Sequence, residues 1–407
     1  MRVRLPARFE RLDLAGSGGW LLFGLFVLVV ALASQPAYWP RDTSVPFLVV
    51  WPPALVATLA AAAVGVARFR PASPRLRPVE AIAIAAVMLM VMTDVTGRGQ
   101  FLRDLGIYLK AGHHFLDGAP VYLREPMTVQ PLDRTDYPFL YPPLTLPLFA
   151  LLALMPVPIA QAIWLAFSLC LVVAALRRFG VPWRWAVLAP LWPPLFGGLW
   201  VGNVSVPALL LFAVGPWIGA SLVLAGAFKS YTGLAALWLV RERRWRAIAV
   251  GLAGLVLIAA VTLPLTGAAA WSDWLRGLEL YQESQSRVPA LYGFGLGLYV
   301  PFAVYAVLAA AAVLAALRAR GRESLARFGV ATVVASPSLF EHGLLVSIPS
   351  LMSLRPAWMW AVLGWMALPQ GLTWWLGIAV IAASWLLPGT RGEHQPWPDA
   401  PELGSGI

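Results

Sequence analysis

Charge is what this chain lacks. Asp, Glu, Lys and Arg make up 12% of its 407 residues, where an ordinary soluble protein is about one quarter charged. No long polar gap interrupts the apolar runs between residues 19 and 388. A set of separate soluble domains is thereby excluded, and the composition, 60% hydrophobic with 20 Trp, describes a polytopic all-α membrane protein. Cysteine is nearly absent too. Cys170 is alone and sits in an apolar run, so no disulfide framework exists within one chain. Histidine is scarce, with four in all, and no second cluster completes a coordination set around His113, His114 and Asp117. No structural metal or other cofactor is expected; Asp94 and Asp136, which flank the first polar segment, read either as orienting groups or as holders of a divalent ion. The net charge of +11 does not signal nucleic acid, because the Arg residues gather at the ends of apolar runs, where lipid headgroups and membrane topology account for them.

A spanning helix needs about 20 apolar residues. On that measure spans are expected near 19–35, 46–67, 79–94, 140–155, 157–176, 185–200, 203–216, 218–240, 247–265, 293–317, 326–340, 343–354, 357–369 and 372–388. Several fall short, so about 11 to 14 crossings are expected within one domain over residues 1–388. Arg2, Arg4, Arg8 and Arg11 precede the first span, which is read as retained with a cytoplasmic N-terminus. Counting from there places the basic segments 67–78, 241–246 and 318–327 in the cytoplasm. The segment 176–185, "LRRFGVPWRW", falls outside by the same count. Either a span near it is misplaced or Arg177, Arg178 and Arg184 have another task. The tail 389–407 reads as disordered and cytoplasmic.

Two polar segments, 95–139 and 266–292, share the external face by this count. The second mixes Trp271, Trp274 and Leu278 with Asp273, Glu279 and Glu283, as a helix lying in the membrane interface does. The first holds "FLRDLGIYLKAGHHFLDGAPVY". As a helix it places Asp104 and Tyr108 on one face. It then reads either as an interfacial helix with solvated charges or as the carrier of a carboxylate that takes a proton from a bound hydroxyl. Lys229 lies inside an apolar run, where a charge costs about 2.5 to 3.5 kcal/mol on insertion scales. It either snorkels, pairs with a partner such as Glu341, or contacts a phosphate. His342 interrupts two apolar runs beside Glu341, and is either a plain turn residue or a contact to substrate. Arg98, Arg103 and Arg124 are phosphate candidates against a headgroup alternative. Trp192, Trp200, Trp217, Trp274 and others near span ends fit an interfacial belt; a sugar-stacking role for a few of them is not assignable from sequence.

The pattern Asp104, Tyr108, Ala111, Gly112, Gly118, Tyr122, followed by "YPFLYPPL" at 137–144, resembles the first external loop of glycosyltransferase family 87. That family comprises polyprenol-phosphate-mannose-dependent mannosyltransferases of the GT-C fold and many uncharacterised relatives. "VGNVSVPALLL", "AGAFKSYTGLAALWLVRERRW" and "SPSLFEHGLLVSIPSL" follow in the family's order, so the likeness runs over roughly 95–355. It departs from the pattern at Asn203, where relatives show Gln, at Thr232, where they show Pro, and at Glu341-His342-Gly343, where they show His-His after an aromatic.

The resemblance implies a GT-C transferase on the extracytoplasmic face of the plasma membrane. It moves a hexose, expected to be mannose, from a polyprenyl-phosphate sugar donor to a lipid or glycan acceptor with inversion. Asp104 corresponds to the family's catalytic Asp and acts as general base. Lys229, His342, Tyr108, Arg103, Arg124 and Asn203 are expected to bind the donor phosphate or substrate. A transporter or flippase of a lipid-linked or anionic substrate is the alternative class. It would need no base at Asp104, and two halves with equivalent helix breaks are not visible in the sequence.

Overall fold

The computed structural model describes residues 101–387 except 130, 132–135, 289–290, 292 and 368–370, together with Trp397. The expected spans at 19–35, 46–67 and 79–94 lie outside these residues. Among the described residues the chain is helical and forms no strand. In order, α1 is Arg103–Leu116, α2 Leu146–Ala153, α3 Val157–Arg178, α4 Trp183–Leu188, α5 Pro193–Val201, α6 Ser205–Ala213, α7 Ala220–Phe228 and α8 Leu237–Arg241. Then come α9 Trp245–Arg287, α10 Phe302–Arg318, α11 Gly321–Val334, α12 Ile348–Met352, α13 Pro356–Ala367 and α14 Gly371–Ser384.

The described residues fall into two compact units. One includes Leu191–Pro193 and the chain from Leu351. In it α13 packs on α14, with Gly377 against Val362 and Met366, and the Trp192 indole donates to the Leu363 carbonyl. The other unit, from Arg98 through Ser350 with Trp397, carries the site.

In this second unit, α3 and α9 are long and apolar enough to cross a membrane. The 22 residues of α3 reach about 33 Å, matched to a hydrocarbon core of about 30 Å. Leu252, Val256, Leu257 and Val261 of α9 and Phe302, Val304 and Val307 of α10 are exposed. Apolar stripes of this size belong against lipid, which makes this a membrane protein. α9 kinks at Gly267, whose positive φ of 72° suits glycine, three residues after Pro264. Beyond the kink it packs on the first polar segment. Trp274 donates to the Leu140 carbonyl at 3.0 Å, and Ser284 accepts from the Met127 N–H at 2.8 Å.

Several expected spans come out shorter than a crossing, among them 203–216, which is the nine-residue α6, and 343–354, a 3₁₀ run with the five-residue α12; two more lie near the site. The region 140–155 is a 3₁₀ turn and the eight-residue α2, about 12 Å long and lying against α1, too short to cross. One face of it, Leu146, Phe149, Ala150 and Ala153, is buried, while Leu148, Leu151 and Leu154 on the other are exposed apolar surface. The region 218–240 is a hairpin: α7 rises to Lys229 and a 3₁₀ run, Ser230–Ala236, returns beside it into α8. Gly226 and Gly233 face one another across the hairpin, and Thr232 donates to the Ala225 carbonyl.

Side-chain contacts gather the segment that broke the charge rule with other basic segments. Arg178 stacks on Trp217 at 5.4 Å, Arg244 donates to the Pro216 carbonyl, Arg241 donates to the Leu317 carbonyl, and Trp238 donates to the Gly321 carbonyl. Trp397, fully buried, ties three of these regions: its backbone N–H donates to Phe179, its indole to the Ala213 carbonyl, and its own carbonyl accepts from Arg322. The basic segments 176–184, 241–246 and 318–327 therefore share one end of the unit.

Candidate active site

At the opposite end, α1 begins with strained backbone. Leu102 is left-handed at φ 52°, a conformation that costs a non-glycine residue about 1 to 2 kcal/mol. The Leu102 N–H donates to the Trp200 carbonyl at 2.7 Å, which pins the start of α1 to the end of α5. α1 then buries Leu105, Tyr108, Leu109 and Gly112, spaced as one helical face. Gly112 meets the backbone of α2, where a Cβ would come 2.5 Å from the Phe149 carbonyl oxygen. Beneath this face lies an aromatic core of Tyr108, Tyr122, Phe139, Tyr141, Phe149 and Trp164. The "YPFLYPPL" segment supplies two of those rings.

This mounting holds Asp104 in the first turn of α1 at 5% exposure. Its Oδ1 accepts from Arg103 Nε and Nη2, each at 2.7 Å. Its Oδ2 accepts from Asn203 Nδ2 at 2.5 Å. A carboxylate oxygen offers about two lone-pair sites, so Oδ2 keeps one further acceptor site. Burial lowers the Arg103 pKa and the adjacent Asp104 carboxylate more than offsets it, so the guanidinium is held charged.

The Gly202-Asn203-Val204 turn that presents the amide is fastened at several points. Gly202 adopts φ 72° and fits against Leu105. Its carbonyl accepts from Trp164 Nε1 at 2.9 Å, and the Val204 N–H donates to the Tyr108 hydroxyl at 3.3 Å. Asn203 Oδ1 accepts from the Ser205 N–H at 2.8 Å. Both ends of the Asn203 amide are thus engaged within the protein. Tyr108, 1% exposed, pairs its hydroxyl with Tyr141 at 3.0 Å and supports the turn from behind.

Lys229 reaches this assembly from the hairpin tip, donating to Ser205 Oγ at 2.5 Å. His342 follows Glu341 in a 3₁₀ segment, Glu341–Ser347, that leaves α11. Gly197 and Gly198 of α5 admit the pair: a Cβ on Gly197 would lie 2.1 Å from Glu341 Oε1, and one on Gly198 2.9 Å from His342 Cβ. His342 is 5% exposed and its Nδ1 has no hydrogen-bond partner among the described residues. Burial, with the Lys229 and Arg103 cations adding to it, pushes the imidazole well below its ordinary value, so it is neutral.

Five of the seven residues expected from sequence, Asp104, Arg103, Tyr108, Asn203 and Lys229, therefore belong to one hydrogen-bonded network, and His342 lies close enough for the Lys229 and Arg103 cations to act on it. Arg124 does not join the network; it is exposed in the loop after α1 and makes no hydrogen bond or ion pair with any described residue. His113 and His114 bond backbone carbonyls of Leu109 and Pro120, and among the described residues no group of His, Cys, Asp or Glu is arranged to hold a metal. Lys110 pairs with Asp136 at the surface. Ser205 and Trp164 were not anticipated. Ser205 stands two residues after Asn203, but a hydroxyl in an apolar helix carries no signal of its own, and Trp164 reads as one more belt residue.

A family model described as glycosyltransferase family 87 matches residues 139–347, just over half of the chain. The match contains Asn203, Lys229 and His342, while Asp104, Arg103 and Tyr108 precede it. No curated protein and no solved structure matches the chain.

Proposed function

The chain belongs to glycosyltransferase family 87, an enzyme family that transfers sugar, and on that footing we propose that Asp104 is the general base of an inverting hexosyl transfer at the end of the unit remote from the basic segments. The observation that carries this reading is the Asp104 carboxylate, nearly buried yet keeping an acceptor site, within one network with two cationic side chains, Arg103 and Lys229.

In this reading the acceptor hydroxyl hydrogen-bonds Asp104 Oδ2 and gives up its proton as its oxygen attacks the anomeric carbon. The bond from that carbon to the polyprenyl phosphate oxygen breaks, and its electron pair leaves with the phosphate. Attack from the opposite face inverts the configuration. The leaving phosphate needs stabilised negative charge rather than a proton. Arg103 and Lys229 provide fixed cations for it, an electrostatic contribution strongest in a site that excludes water. Neutral His342 offers a hydrogen bond without adding a third charge. The donor is a polyprenyl-phosphate hexose, in first place mannose, and the acceptor a lipid or glycan at the membrane surface. With the basic end in the cytoplasm, the site opens on the extracytoplasmic face of the plasma membrane.

The test is transfer of radiolabelled mannose from polyprenyl phosphate mannose to a lipid extract by the purified protein, with Asp104→Asn alongside. The wild type is expected to transfer label, and the variant to fall by about 100-fold to 10,000-fold, the usual worth of a general base, while keeping its helical circular dichroism. Transfer retained by Asp104→Asn overturns the role given to Asp104. Absence of transfer with mannosyl, glucosyl and arabinosyl donors alike overturns the donor class.

A further inference from the structure

Three aromatic rings flank the Asp104 carboxylate and take no part in the chemistry above. Phe101 packs on Trp200 with ring centroids 4.6 Å apart and tilted by 56°, and Trp200 stacks on Phe196 at 5.8 Å and 22°. Phe101 is three residues before Asp104, and Trp200 three before Asn203. The hydrogen bond from Leu102 to Trp200 joins the two segments directly. The wall therefore stands at the edge of the Asp104–Asn203 pair.

Two features separate it from an ordinary membrane-interface belt. A belt tryptophan keeps its ring in the apolar zone and turns its N–H toward the wet rim. Here Trp200 Nε1 is buried and has no acceptor among the described residues, a standing cost that a partner would remove. Phe101 is 49% exposed although it is seated beside the polar centre of the site, and the left-handed Leu102 next to it fixes its position at a cost in backbone strain.

Resting on the transferase reading above, we infer that Phe101, Phe196 and Trp200 form a subsite that stacks a pyranose ring of one substrate, with Trp200 Nε1–H donating to one of its hydroxyls. A pyranose presents a face of C–H groups to an aromatic wall and a rim of hydroxyls around it, the combination that an aromatic surface with one unpaired donor fits. A rotamer change at Phe101, the exposed member, admits the ring. The donor sugar and the acceptor sugar share this chemistry, and kinetics separate them.

The experiment uses the full chain in nanodiscs and saturation-transfer NMR with octyl mannoside and octyl glucoside, on wild type, Phe101→Leu and Trp200→Leu. Saturation is expected on the ring protons of the glycoside with wild type and about fivefold less with either variant, the order expected for losing one aromatic contact. Equal transfer in all three proteins, transfer confined to the octyl chain, or none with wild type overturns the subsite. Should Trp200→Leu fail to fold, Phe101→Leu, altering a half-exposed side chain, carries the test. In the transfer assay the same variants are expected to raise KM about fivefold, with kcat near wild type, for whichever of donor and acceptor occupies the wall. Ring binding by a wild type that transfers no sugar leaves the subsite standing and removes the transferase reading; transfer without ring binding does the reverse.

Discussion

At the scale of single residues, Lys229 and His342 could be picked out because each is polar beside apolar runs, and Asp104 and Asn203 through the family resemblance. Their partners could not. That Asn203 would spend its amide on Asp104 and the Ser205 N–H, rather than on substrate, depends on a turn closed by Trp164 and Tyr108 from other helices. His342 carries a prediction of its own. Its folded pKa lies below the unfolded value of about 6.5. Between the two values the unfolded chain binds more protons, so stability is fully present above the unfolded pKa and is lost as pH falls toward the folded one. The apparent melting temperature in detergent is expected to drop between about pH 7 and pH 5. In His342→Gln that drop should shrink; an unchanged drop would show that other groups cause it.

Among the elements, α1, α3 and the kinked α9 are legible, since each has the length or the amphipathic spacing its position demands. α2 and the Lys229 hairpin are not. Hydropathy reports composition, and a short apolar helix with one face against α1 and the other exposed has the same composition as one that crosses. Likewise the break at Lys229 is concealed because both legs are apolar and turn through a stretch with no proline. The crossing of α1 with α2 depends on Gly112. Gly112→Ala places a methyl against the Phe149 carbonyl and is expected to cost about 1 to 3 kcal/mol. A lower melting temperature should accompany a loss of transfer, because α1 carries Asp104. Gly297→Ala, with open space around it, serves as the control and should melt as wild type does. If both variants melt alike, the close crossing contributes nothing.

For the molecule as a whole, the positive-charge rule anticipated that most basic segments share a side, and the structure gathers 176–184 with 241–246 and 318–327 at one end, which counting spans did not. The corrected arrangement can be measured. With Cys170→Ser as background, Arg178→Cys and Arg320→Cys are expected to resist an impermeant maleimide in intact cells, while Glu125→Cys and Glu279→Cys react. All four parent positions are exposed. Labelling at 178 but not 320 would refute their placement at one end, and the reverse pattern at all four would invert the orientation. The buried Trp397 has a bearing on biogenesis as well. It is translated after every segment it fastens, so Phe179, Ala213 and Arg322 must wait without their clasp until the ribosome has passed them all. Insertion of the helices can proceed one by one, but the closure of this end belongs to a stage after the membrane part has been made.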